Sequence, residues 1–525
     1  KIIYYSHNHE SSGDDYNVLP NKINEVNMDR IHSEIISIKR DTDYISWAES
    51  IPILIEPKWY FPSNITIEGN VIYSDTTLSY NDTVIIVKGN LTLINTTMIL
   101  SSSSDGKSGI VVVSGGNLRL RNSTITYNES TGYRYFIYVE ANATLYAFDS
   151  VIEYCGWNSS ETGLIVGFNY SVLMVPANIT LEKSVLRSCY TGINAIENST
   201  LTIESCSFMN MTSLAIKTEN SGLTINNSYS ENTIFIDNSE YEINNLTMVN
   251  SGIEIYNSYG SINNSRFDAY MTSTDLTCIF TKNTNITISN IEINASARGS
   301  VTLYLIRCEN SRVSIYGAKL YMDAFNGANI YGIYTRNLPE GILIDNSIFN
   351  IVCNQTNVDT YIGAVDMYQH DAYINNSYFN GSIYGKSLSI FVFSDKMGKV
   401  TIRNTTFESW TFGLSTVEQL WDGYNSGASK YYVKNCSFNI HAYEGTSWAV
   451  SIDFELGSSY SIENSTIFLD CYGYGGEKEY SSYYVMPILN WASTITMINC
   501  RISSLYRGFA FVILYLSYYG YDTIK

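Results

Sequence analysis

The stretch Val400-Thr401-Ile402-Arg403-Asn404-Thr405-Thr406-Phe407 is one copy of a phrase that recurs along most of this 525-residue sequence. Apolar and polar residues alternate in its first half, an Asn follows, and a large apolar residue closes it. Copies lie roughly 18 to 35 residues apart, mostly within the range of solenoid repeats. Further copies lie at Leu91–Met98, Leu118–Ile125, Leu201–Ile203, Leu223–Ile225, Ile262–Ser265, Ile344–Ser347, Ile374–Ser377, Val433–Cys436, Ile462–Ser465 and Met497–Cys500.

The phrase predicts a short β-strand that ends at a tight corner. Alternation of apolar and polar residues turns one face of a strand inward, whereas a helical repeat would space its apolar residues three and four apart. Asn suits the corner because it tolerates the left-handed backbone conformation and hydrogen-bonds locally to the main chain. Such strands and corners, stacked along one axis, make a parallel β-helix with about sixteen rungs.

With this phrase the chain resembles the right-handed parallel β-helix family, which includes pectate-lyase-like and NosD-like repeat proteins. The resemblance covers about residues 64–505 and implies an all-β, single-stranded right-handed parallel β-helix, but no particular activity. We expect residues 1–63 to form an N-terminal arm and cap, with an amphipathic helix over 25–40. Residues 506–525 are strongly apolar and are expected to form either a C-terminal cap or a segment that pairs with a neighbouring subunit.

Composition narrows the classes of function. Charged residues make up only 15% of the chain and the net charge is −19, which argues against nucleic acid as a partner and against docking on an anionic membrane. No apolar run approaches the ~20 residues that cross a bilayer. The first residue is Lys1, which favours a chain that begins after a removed signal peptide. A membrane anchor beyond Lys525 remains an open alternative.

The most telling feature is the density of Asn-x-Ser/Thr triplets, about two dozen without Pro in the middle. An Asn-, Ser- and Thr-rich chain also produces such triplets by chance. Five triplets start at the corner position of the phrase. If the Asn side chains there turn inward as a stack, their match to the glycosylation pattern is incidental. These residues are Asn95, Asn122, Asn404, Asn435 and Asn464. N-glycosylation is expected at outward positions: Asn64, Asn81, Asn90, Asn142, Asn158, Asn169, Asn178, Asn198, Asn210, Asn226, Asn245, Asn263, Asn285, Asn294, Asn354, Asn375 and Asn380. Covalent N-glycans are expected, and no other cofactor.

Nine cysteines in an exported chain indicate disulfides, with one cysteine left over. Equivalent positions on adjacent rungs have Cα atoms about 4.8 Å apart, within the range that a disulfide tolerates. The three candidate pairs are Cys155 with Cys189, Cys278 with Cys308, and Cys471 with Cys500. The first pair shares the same offset from the corners of its two rungs, and the others are about one rung apart. The alternative is that these residues are buried thiols in the core.

Carboxylates and imidazoles give candidates for chemistry. Asp366, His370 and Asp371 form the densest titratable group, and Asp453 and Glu455 lie on one strand face. Two carboxylates two residues apart could bind a cation or act as an acid and a base. We favour the alternative of a solvated strand face, since such residues are mostly exposed. No catalytic residue is therefore predicted.

One stretch of the N-terminal arm is a candidate for metal binding. His7-Asn8-His9-Glu10, followed by Asp14 and Asp15, offers imidazole and carboxylate ligands for copper or zinc, and the NosD-like resemblance implies a link with copper delivery. A flexible polar terminus is the favoured interpretation, because nothing in the sequence fixes the ligand geometry. No metal site is predicted.

These features together predict an extracellular structural glycoprotein that assembles with copies of itself into a surface layer, sheath or filament, and the chain resembles archaeal β-helix surface proteins. Such a protein would not be an enzyme. The alternative is a secreted protein that binds polysaccharide along the same rod or cleaves it, as an adhesin or as a pectate-lyase-like enzyme acting on uronic-acid polymers. Expected partners are copies of the chain and cell-surface glycans, with no nucleic acid and no membrane span.

Overall fold

The computed structural model of the chain shows a solenoid of parallel β-strands. The residues that the structure describes are 63–159, 163–168, 175–354, 360–385, 387–395, 398–412, 415–422, 429–443, 448–454, 458–472, 484–490, 494–507 and 522–524. The predicted helix over 25–40, nearly all of the N-terminal arm and most of the apolar segment 506–525 lie outside them. The described residues contain no helix, and hence none with the length and apolar composition that a bilayer crossing requires.

The strands form three sheets, and one rung contributes one strand to each sheet. Pairing is parallel and joins strands three apart in the chain, such as β1 with β4, β2 with β5 and β3 with β6. The first sheet has 17 strands, which gives one rung more than the sequence predicts. The fold is therefore the parallel β-helix that the repeated phrase indicates.

Sheet 1 consists of β1 (Ser63–Ile67), β4 (Thr83–Val87), β7 (Gly109–Val112), β10 (Phe136–Glu140), β13 (Gly163–Phe168), β16 (Thr191–Ala195), β19 (Ile216–Glu219), β22 (Ile234–Asp237), β25 (Ile253–Tyr256), β28 (Leu276–Lys282), β31 (Thr302–Glu309), β34 (Asn329–Arg336), β37 (Thr360–Tyr368), β40 (Ser387–Asp395), β43 (Thr416–Asp422), β46 (Trp448–Phe454) and β49 (Tyr484–Asn490).

Sheet 2 consists of β2 (Asn70–Ser74), β5 (Asn90–Ile94), β8 (Asn117–Arg121), β11 (Thr144–Phe148), β14 (Asn178–Glu182), β17 (Thr200–Glu204), β20 (Gly222–Asn226), β23 (Glu240–Asn244), β26 (Tyr259–Asn263), β29 (Asn285–Ser289), β32 (Arg312–Tyr316), β35 (Ile342–Asp345), β38 (Ala372–Asn375), β41 (Lys399–Arg403), β44 (Lys430–Lys434), β47 (Ser459–Glu463), β50 (Thr494–Ile498) and, paired with β50, β52 (Asp522–Ile524).

Sheet 3 consists of β3 (Thr77–Asn81), β6 (Thr97–Ser101), β9 (Thr124–Tyr127), β12 (Val151–Glu153), β15 (Val185–Arg187), β18 (Ser207–Met209), β21 (Tyr229–Ser230), β24 (Thr247–Val249), β27 (Arg266–Met271), β30 (Glu292–Arg298), β33 (Lys319–Phe325), β36 (Ile348–Asn354), β39 (Tyr378–Tyr384), β42 (Thr406–Phe412), β45 (Ser437–Ala442), β48 (Thr466–Tyr472) and β51 (Arg501–Arg507).

The corner between sheets 2 and 3 is formed by a residue with left-handed backbone, as the sequence predicts. Asn95, Asn404 and Asn435 have φ angles of 48°, 50° and 54°, which Asn tolerates better than most residues that carry a Cβ atom. Their side chains do not turn inward. They are exposed and hydrogen-bond along the axis from corner to corner, as from Asn404 Nδ2 to Asn376 Oδ1 at 3.1 Å. A second corner, between sheets 1 and 2, uses the same conformation, for example at Asn238.

The residue after the corner between sheets 2 and 3 points inward and is often Ser. Ser347 is buried, and its Oγ accepts a hydrogen bond of 3.2 Å from the backbone N–H of Ala318. The same hydroxyl donates to the carbonyl of Asp345 at 3.1 Å, while the Ser347 N–H donates to Ser377 Oγ at 3.2 Å. These hydroxyls satisfy buried backbone groups that would otherwise lack a partner at the turn.

The interior is a continuous stack of aliphatic and aromatic side chains. In sheet 3 the rings of Phe349, Phe379, Phe407 and Phe438 lie on successive strands, with neighbouring centroids 4.3, 4.8 and 4.9 Å apart. Phe407 is the residue that closes the phrase quoted above. The phrase recurs because each rung needs a large apolar side chain at this inward position to fill the core.

The cysteines are all free thiols, so the three predicted disulfides are not formed. Cys155 and Cys189 do occupy equivalent positions, two residues after the paired Glu153 and Arg187. Correct register is therefore not sufficient for a bridge.

The other two predicted pairs are out of register. Cys308 lies opposite Thr281, three residues along the chain from Cys278. Cys471 lies within β48, whereas Cys500 follows the corner that leads into β51. Burial raises the pKa of the Cys278 and Cys308 thiols to about 12, so both are neutral members of the core.

The rungs widen along the chain, and we call the part from β28 to β51 the wide half. In sheet 1, β19, β22 and β25 have 4 residues each, whereas β31 and β34 have 8 and β37 has 9. The longer strands place two consecutive residues inward, such as Leu305 and Ile306, both in the core. Outward side chains then flank this pair on both sides, as Tyr304 and Arg307 do. The wide half therefore presents a broader outer surface on sheet 1.

Candidate functional site

Outward side chains of sheet 1 form rows along the axis, because the strands are parallel and in register. One row consists of Phe235, Glu254, Phe280, Arg307, Tyr334, Asp366, Phe393, Trp421 and Asp453. A neighbouring row contains Tyr304, Tyr331, Gly363, Ile390 and Glu418. We call the outward side of sheet 1 from β22 to β46 the aromatic face.

The aromatic rings of this face contact one another along most of its length. The contacting pairs, with centroid distances of 4.7 to 5.7 Å, are Phe235–Tyr256, Tyr256–Phe280, Tyr304–Tyr331, Tyr304–Tyr334, Tyr331–Tyr334, Tyr331–Tyr361, Tyr334–Tyr368, Tyr368–Phe393 and Phe393–Trp421. Apart from Tyr304 and Tyr331, which stack at 12°, the ring planes are inclined by 33° to 83°. Inclined rings leave part of their flat surface uncovered by their neighbours.

A second aromatic group, on the outward side of sheet 3, is arranged differently. The rings of Tyr384, Phe412 and Tyr443 are 4.7 Å apart and inclined by only 5° and 3°. Each ring therefore covers the flat surface of the next, and the stack offers mainly ring edges to solvent. The aromatic face therefore leaves more flat ring surface open to a ligand than the stack on sheet 3 does.

Asp366 belongs to the aromatic face and is nevertheless fully buried. It lies between Tyr334 and Phe393 in its row, and its carboxylate fills the space above Gly363, where a side chain would collide with it. Tyr361 donates a hydrogen bond from its hydroxyl to Asp366 Oδ2 at 3.0 Å. Among the described residues nothing hydrogen-bonds to Oδ1, which is also buried.

Burial raises the pKa of the Asp366 carboxyl to about 7, while the hydrogen bond from Tyr361 opposes the rise. Burial and the adjacent carboxylate raise the pKa of Tyr361 well above its usual value, so its hydroxyl stays protonated and continues to donate. Carboxyls with such shifts cluster at functional sites. The expectation of a solvated strand face fails for Asp366, because its aromatic neighbours cover the carboxyl.

Arg307 is held within the aromatic face by its neighbours. The guanidinium lies 5.5, 5.2 and 5.7 Å from the ring centroids of Phe280, Tyr304 and Tyr334, within the range of a cation–π interaction. Its Nη2 is 2.6 Å from Glu309 Oε1. The rings fix the position of the guanidinium, and Glu309 offsets its charge.

His370 and Asp371 lie in the turn after β37 and hold that turn together. His370 Nε2 is 2.7 Å from Thr335 Oγ1, and its Nδ1 is 2.8 Å from the carbonyl oxygen of Asp371. Burial lowers the pKa of His370, so the ring is neutral near pH 7. Asp371 Oδ1 accepts a hydrogen bond of 2.8 Å from the backbone N–H of Lys399. The titratable group identified in the sequence therefore divides, and only Asp366 belongs to the aromatic face.

Two further carboxyl groups lie on the aromatic face. Glu418, which the sequence did not single out, accepts a hydrogen bond of 3.1 Å from Trp448 Nε1. Asp453 is 5% exposed and stands three strands after Asp366 in the same row. Here too the expectation of a solvated face fails. Glu455, its predicted companion, lies outside the described residues.

No group of three or more His, Cys, Asp or Glu side chains in the described part of the chain could hold a metal ion. His441 on sheet 3 stacks on Trp410 at 4.0 Å, and its nitrogens lie 3.8 Å from Glu408 and 3.7 Å from Asp470. Because Glu408 faces Nε2 and Asp470 faces Nδ1, the two carboxylates and the imidazole do not converge on one ion. The candidate ligands of the N-terminal arm, residues 7–15, lie outside the described residues.

The predicted glycosylation sites are unevenly distributed over the surface. Exposed sites are Asn64, Asn81, Asn142, Asn158, Asn178, Asn198, Asn210, Asn245, Asn285 and Asn354. Half-buried sites are Asn90, Asn226, Asn263, Asn294, Asn375 and Asn380, and Asn169 lies outside the described residues. From β4 onward the strands of sheet 1 contain no Asn-x-Ser/Thr triplet, whereas triplets start in strands of sheets 2 and 3. Glycosylation itself stays a prediction.

A shallow depression on sheet 2 is a weaker candidate for a site. It encloses about 230 Å³ and is lined in part by Asn285, Arg312, Glu340 and Tyr373. Arg312 and Glu340 form an exposed ion pair of 2.8 Å there. Because Asn285 is an exposed predicted glycosylation site, a glycan at this residue would lie beside the depression.

Comparison with known proteins finds similarity only among solved structures. No protein-family description matches the chain, and no curated protein matches it. A crystal structure of the periplasmic alginate epimerase AlgG is 12% identical, with 66% of this chain and 78% of that chain covered and a TM-score of 0.26. Two structures of AlgG mutants are 11% and 9% identical, with 66% of this chain covered in both, 77% and 78% of those chains, and TM-scores of 0.27 and 0.24. The fold assignment rests on the strand pairing described above.

Proposed function

We propose that this protein binds a polysaccharide chain along the aromatic face. The observation that carries the proposal is the set of inclined rings from Phe235 to Trp421, which surrounds the buried carboxyl of Asp366. A sugar ring has C–H groups on its flat sides and hydroxyls around its rim. It can therefore pack on aromatic rings and hydrogen-bond to a few fixed polar groups. Rows that follow the solenoid axis suit a linear polymer.

The distribution of Asn-x-Ser/Thr triplets supports the same face. A glycan is bulky and would obstruct a polymer that approaches the surface beside it. Sheets 2 and 3 carry triplets along their length, for example at Asn178 and Asn294, while sheet 1 lacks them after its first strand. In an exported glycoprotein this arrangement keeps sheet 1 accessible and directs glycans to the other two sides.

The test is titration of the intact protein with a panel of neutral and acidic polysaccharides, by calorimetry or affinity electrophoresis. Tyr334→Ala and Trp421→Ala each remove one half-buried ring from the face, and each should weaken binding about tenfold, or about 1.4 kcal/mol. Tyr432→Ala is the matched control, since Tyr432 is 43% exposed on sheet 2. A panel without a ligand, or an equal loss in the control, contradicts the proposal.

Cleavage of the bound polymer is a second candidate function, and the Asp366 carboxyl favours it. A carboxyl with a pKa of about 7 holds a proton in mildly acidic solution. It could protonate the oxygen of a glycosidic bond while water attacks the anomeric carbon. Release of reducing ends by the wild type, and its loss in Asp366→Asn, would establish this reaction. Binding without new reducing ends would restrict the function to recognition.

Self-assembly into a layer, sheath or filament stays a prediction from the sequence, as does export to the cell surface. Electron microscopy of the purified full chain tests assembly independently of polysaccharide binding. Ordered polymers that also bind polysaccharide would combine the two functions, because the aromatic face and a contact between copies can occupy different parts of the surface.

A further inference from the structure

We infer that the polymer bound by the aromatic face is uncharged. The inference rests on the proposed function and specifies its class of ligand. It begins from the charged side chains that point outward from sheet 1 between β25 and β46. Among the side chains that the structure describes, the acids are Glu254, Glu309, Asp366, Glu418 and Asp453, and the bases are Lys282, Arg307 and Arg336.

The bases of this face gather around one acid. Glu309 lies between Lys282 and Arg336 on the neighbouring strands and pairs with Arg307 at 2.6 Å. Arg307 is further held against three rings, so turning it toward a ligand carboxylate would break contacts on every side. The charge of Arg307 is thus already engaged within the protein, and Glu309 separates Lys282 from Arg336 along their row, so the bases do not form an unbroken row of carboxylate receptors.

Asp366 is the residue of the aromatic face that most strongly disfavours an anionic polymer. Its Oδ1 is buried and has no hydrogen-bond partner among the described residues, so it can accept a hydrogen bond from a ligand that enters beside it. A sugar hydroxyl can donate that hydrogen bond, whereas the ionised carboxylate of a uronic acid cannot. Above a pH of about 7 the Asp366 carboxyl is itself ionised, and like charges brought together in a partly desolvated site cost several kcal/mol.

The charge of the whole chain acts in the same direction. At −19 the protein repels a polyanion at long range, and salt reduces that repulsion. The aromatic rings pack against the flat side of a sugar ring whether or not the sugar is charged. The combination of open rings, an acceptor carboxyl and an engaged Arg307 favours neutral sugars that carry hydroxyl groups over uronic acids.

The experiment compares neutral polymers (xylan, a β-glucan and a mannan) with two polyuronates (alginate and polygalacturonate) and with the cationic polymer chitosan, against the intact protein at pH 8, above the pKa of Asp366. We expect the tightest ligand to be neutral, at least about tenfold above either polyuronate, with an affinity that changes little between low and high salt. A polyuronate or chitosan as the tightest ligand would overturn the inference and leave the proposed function in place. Failure of every polymer would overturn both.

Two variants that each remove one carboxylate test whether Asp366 itself causes the preference for neutral polymers. At pH 8, where the Asp366 carboxyl is ionised, Asp366→Asn should raise the affinity for polyuronates relative to neutral polymers by about tenfold, since it removes the charge on the aromatic face. Asp470→Asn removes a carboxylate from the outward side of sheet 3 and should leave that ratio unchanged. Equal ratios in the two variants would show that Asp366 does not select against charged sugars.

Discussion

At the scale of single residues, Asp366 shows how an outward-facing side chain can be buried by its own strand and its neighbours. The absence of a side chain at Gly363 makes room for the carboxyl, and Tyr361 covers it while donating one hydrogen bond. A single neutral donor does not replace the hydration that an ionised carboxylate loses. The proton therefore stays on Asp366 up to a pH of about 7.

This shift links the stability of the protein to pH. The folded carboxyl has a pKa of about 7, against 3.8 for the free group, so between these values the folded state holds a proton that the unfolded state has lost. Stability then decreases as pH rises from about 4 to about 7, by an amount of the order of a few kcal/mol. Asp366→Asn should remove this contribution, so its melting temperature should fall less between pH 4.5 and pH 7.5 than that of the wild type.

Asp268 provides a control whose pKa shift has the opposite sign. Burial raises the pKa of Asp268, but hydrogen bonds from Arg266 and Asn294 and the charge of Arg266 outweigh burial, and the pKa is lowered. Its stabilising contribution is present throughout pH 4.5–7.5 and is lost only at lower pH. Asp268→Asn should lower the melting temperature at both pH values and preserve the wild-type slope. A wild-type slope in Asp366→Asn would contradict the protonated state assigned to Asp366.

At the scale of structural elements, the inward Ser after the corner joins one rung to the next. Ser347→Ala would leave the buried N–H of Ala318 without its acceptor, at a cost of about 1–3 kcal/mol. We expect a lower melting temperature and faster hydrogen exchange at the Ala318 amide. The amide of Leu246, which donates to Ser265 Oγ at 3.2 Å in another rung, serves as an internal reference whose exchange should change less.

Ser347→Cys separates the hydrogen bond from general packing. Cys436 occupies the equivalent inward position after its own corner, where its Sγ donates to the Lys434 carbonyl at 3.3 Å. The thiol is a weaker hydrogen-bonding group than a hydroxyl, so Ser347→Cys should lose less stability than Ser347→Ala. A loss in Ser347→Ala with none in Ser347→Cys would mean that the hydroxyl contributes nothing beyond its volume.

The strand and its corner could be predicted from the sequence because both depend on local residue preferences. Alternation fixed the inward face, and Asn marked the left-handed position now seen at Asn404. The aromatic face could not be predicted in the same way. Its members become neighbours only through register, and the separation of equivalent residues varies from 18, between Asn220 and Asn238, to 36, between Trp448 and Tyr484.

Register also explains the incorrect expectations about chemistry. The sequence placed Asp366 beside His370 and Asp371, but the strand ends between them, so that the latter two enter a turn. It also placed Cys155 and Cys189 at equivalent positions correctly, yet both are free thiols. Proximity in the sequence identified the candidate residues, and the burial and orientation of their side chains decided what each of them does.

At the scale of the whole solenoid, the three sheets have different surfaces. Sheet 1 carries inclined rings and buried carboxyls without glycosylation triplets from β4 onward, whereas sheets 2 and 3 carry the triplets. A parallel β-helix permits this separation, because each sheet keeps its own outward rows through every rung. The proposed polymer and the predicted glycans would therefore occupy different sides of the same solenoid.

This separation can be tested by placing a glycan on the aromatic face. Tyr331→Thr converts the sequence Asn329-Ile330-Tyr331 into a glycosylation triplet. Asn329 points outward on β34 and lies opposite Tyr361 on β37. In a host that attaches N-glycans, this variant should lose polysaccharide binding by about 100-fold or more, because the glycan covers the open rings.

Two comparisons distinguish the glycan from the substitution. The same Tyr331→Thr protein made without N-glycosylation should lose only about tenfold in affinity, the contribution of one ring. Arg312→Asn creates a triplet with Ser314 on sheet 2, and a glycan there should leave binding at the wild-type level. Mass spectrometry establishes occupancy in each case. If the glycosylated Tyr331→Thr protein bound as tightly as the unglycosylated form, the polymer would have to bind elsewhere, since a glycan at Asn329 and a polymer on the same rings cannot share that surface.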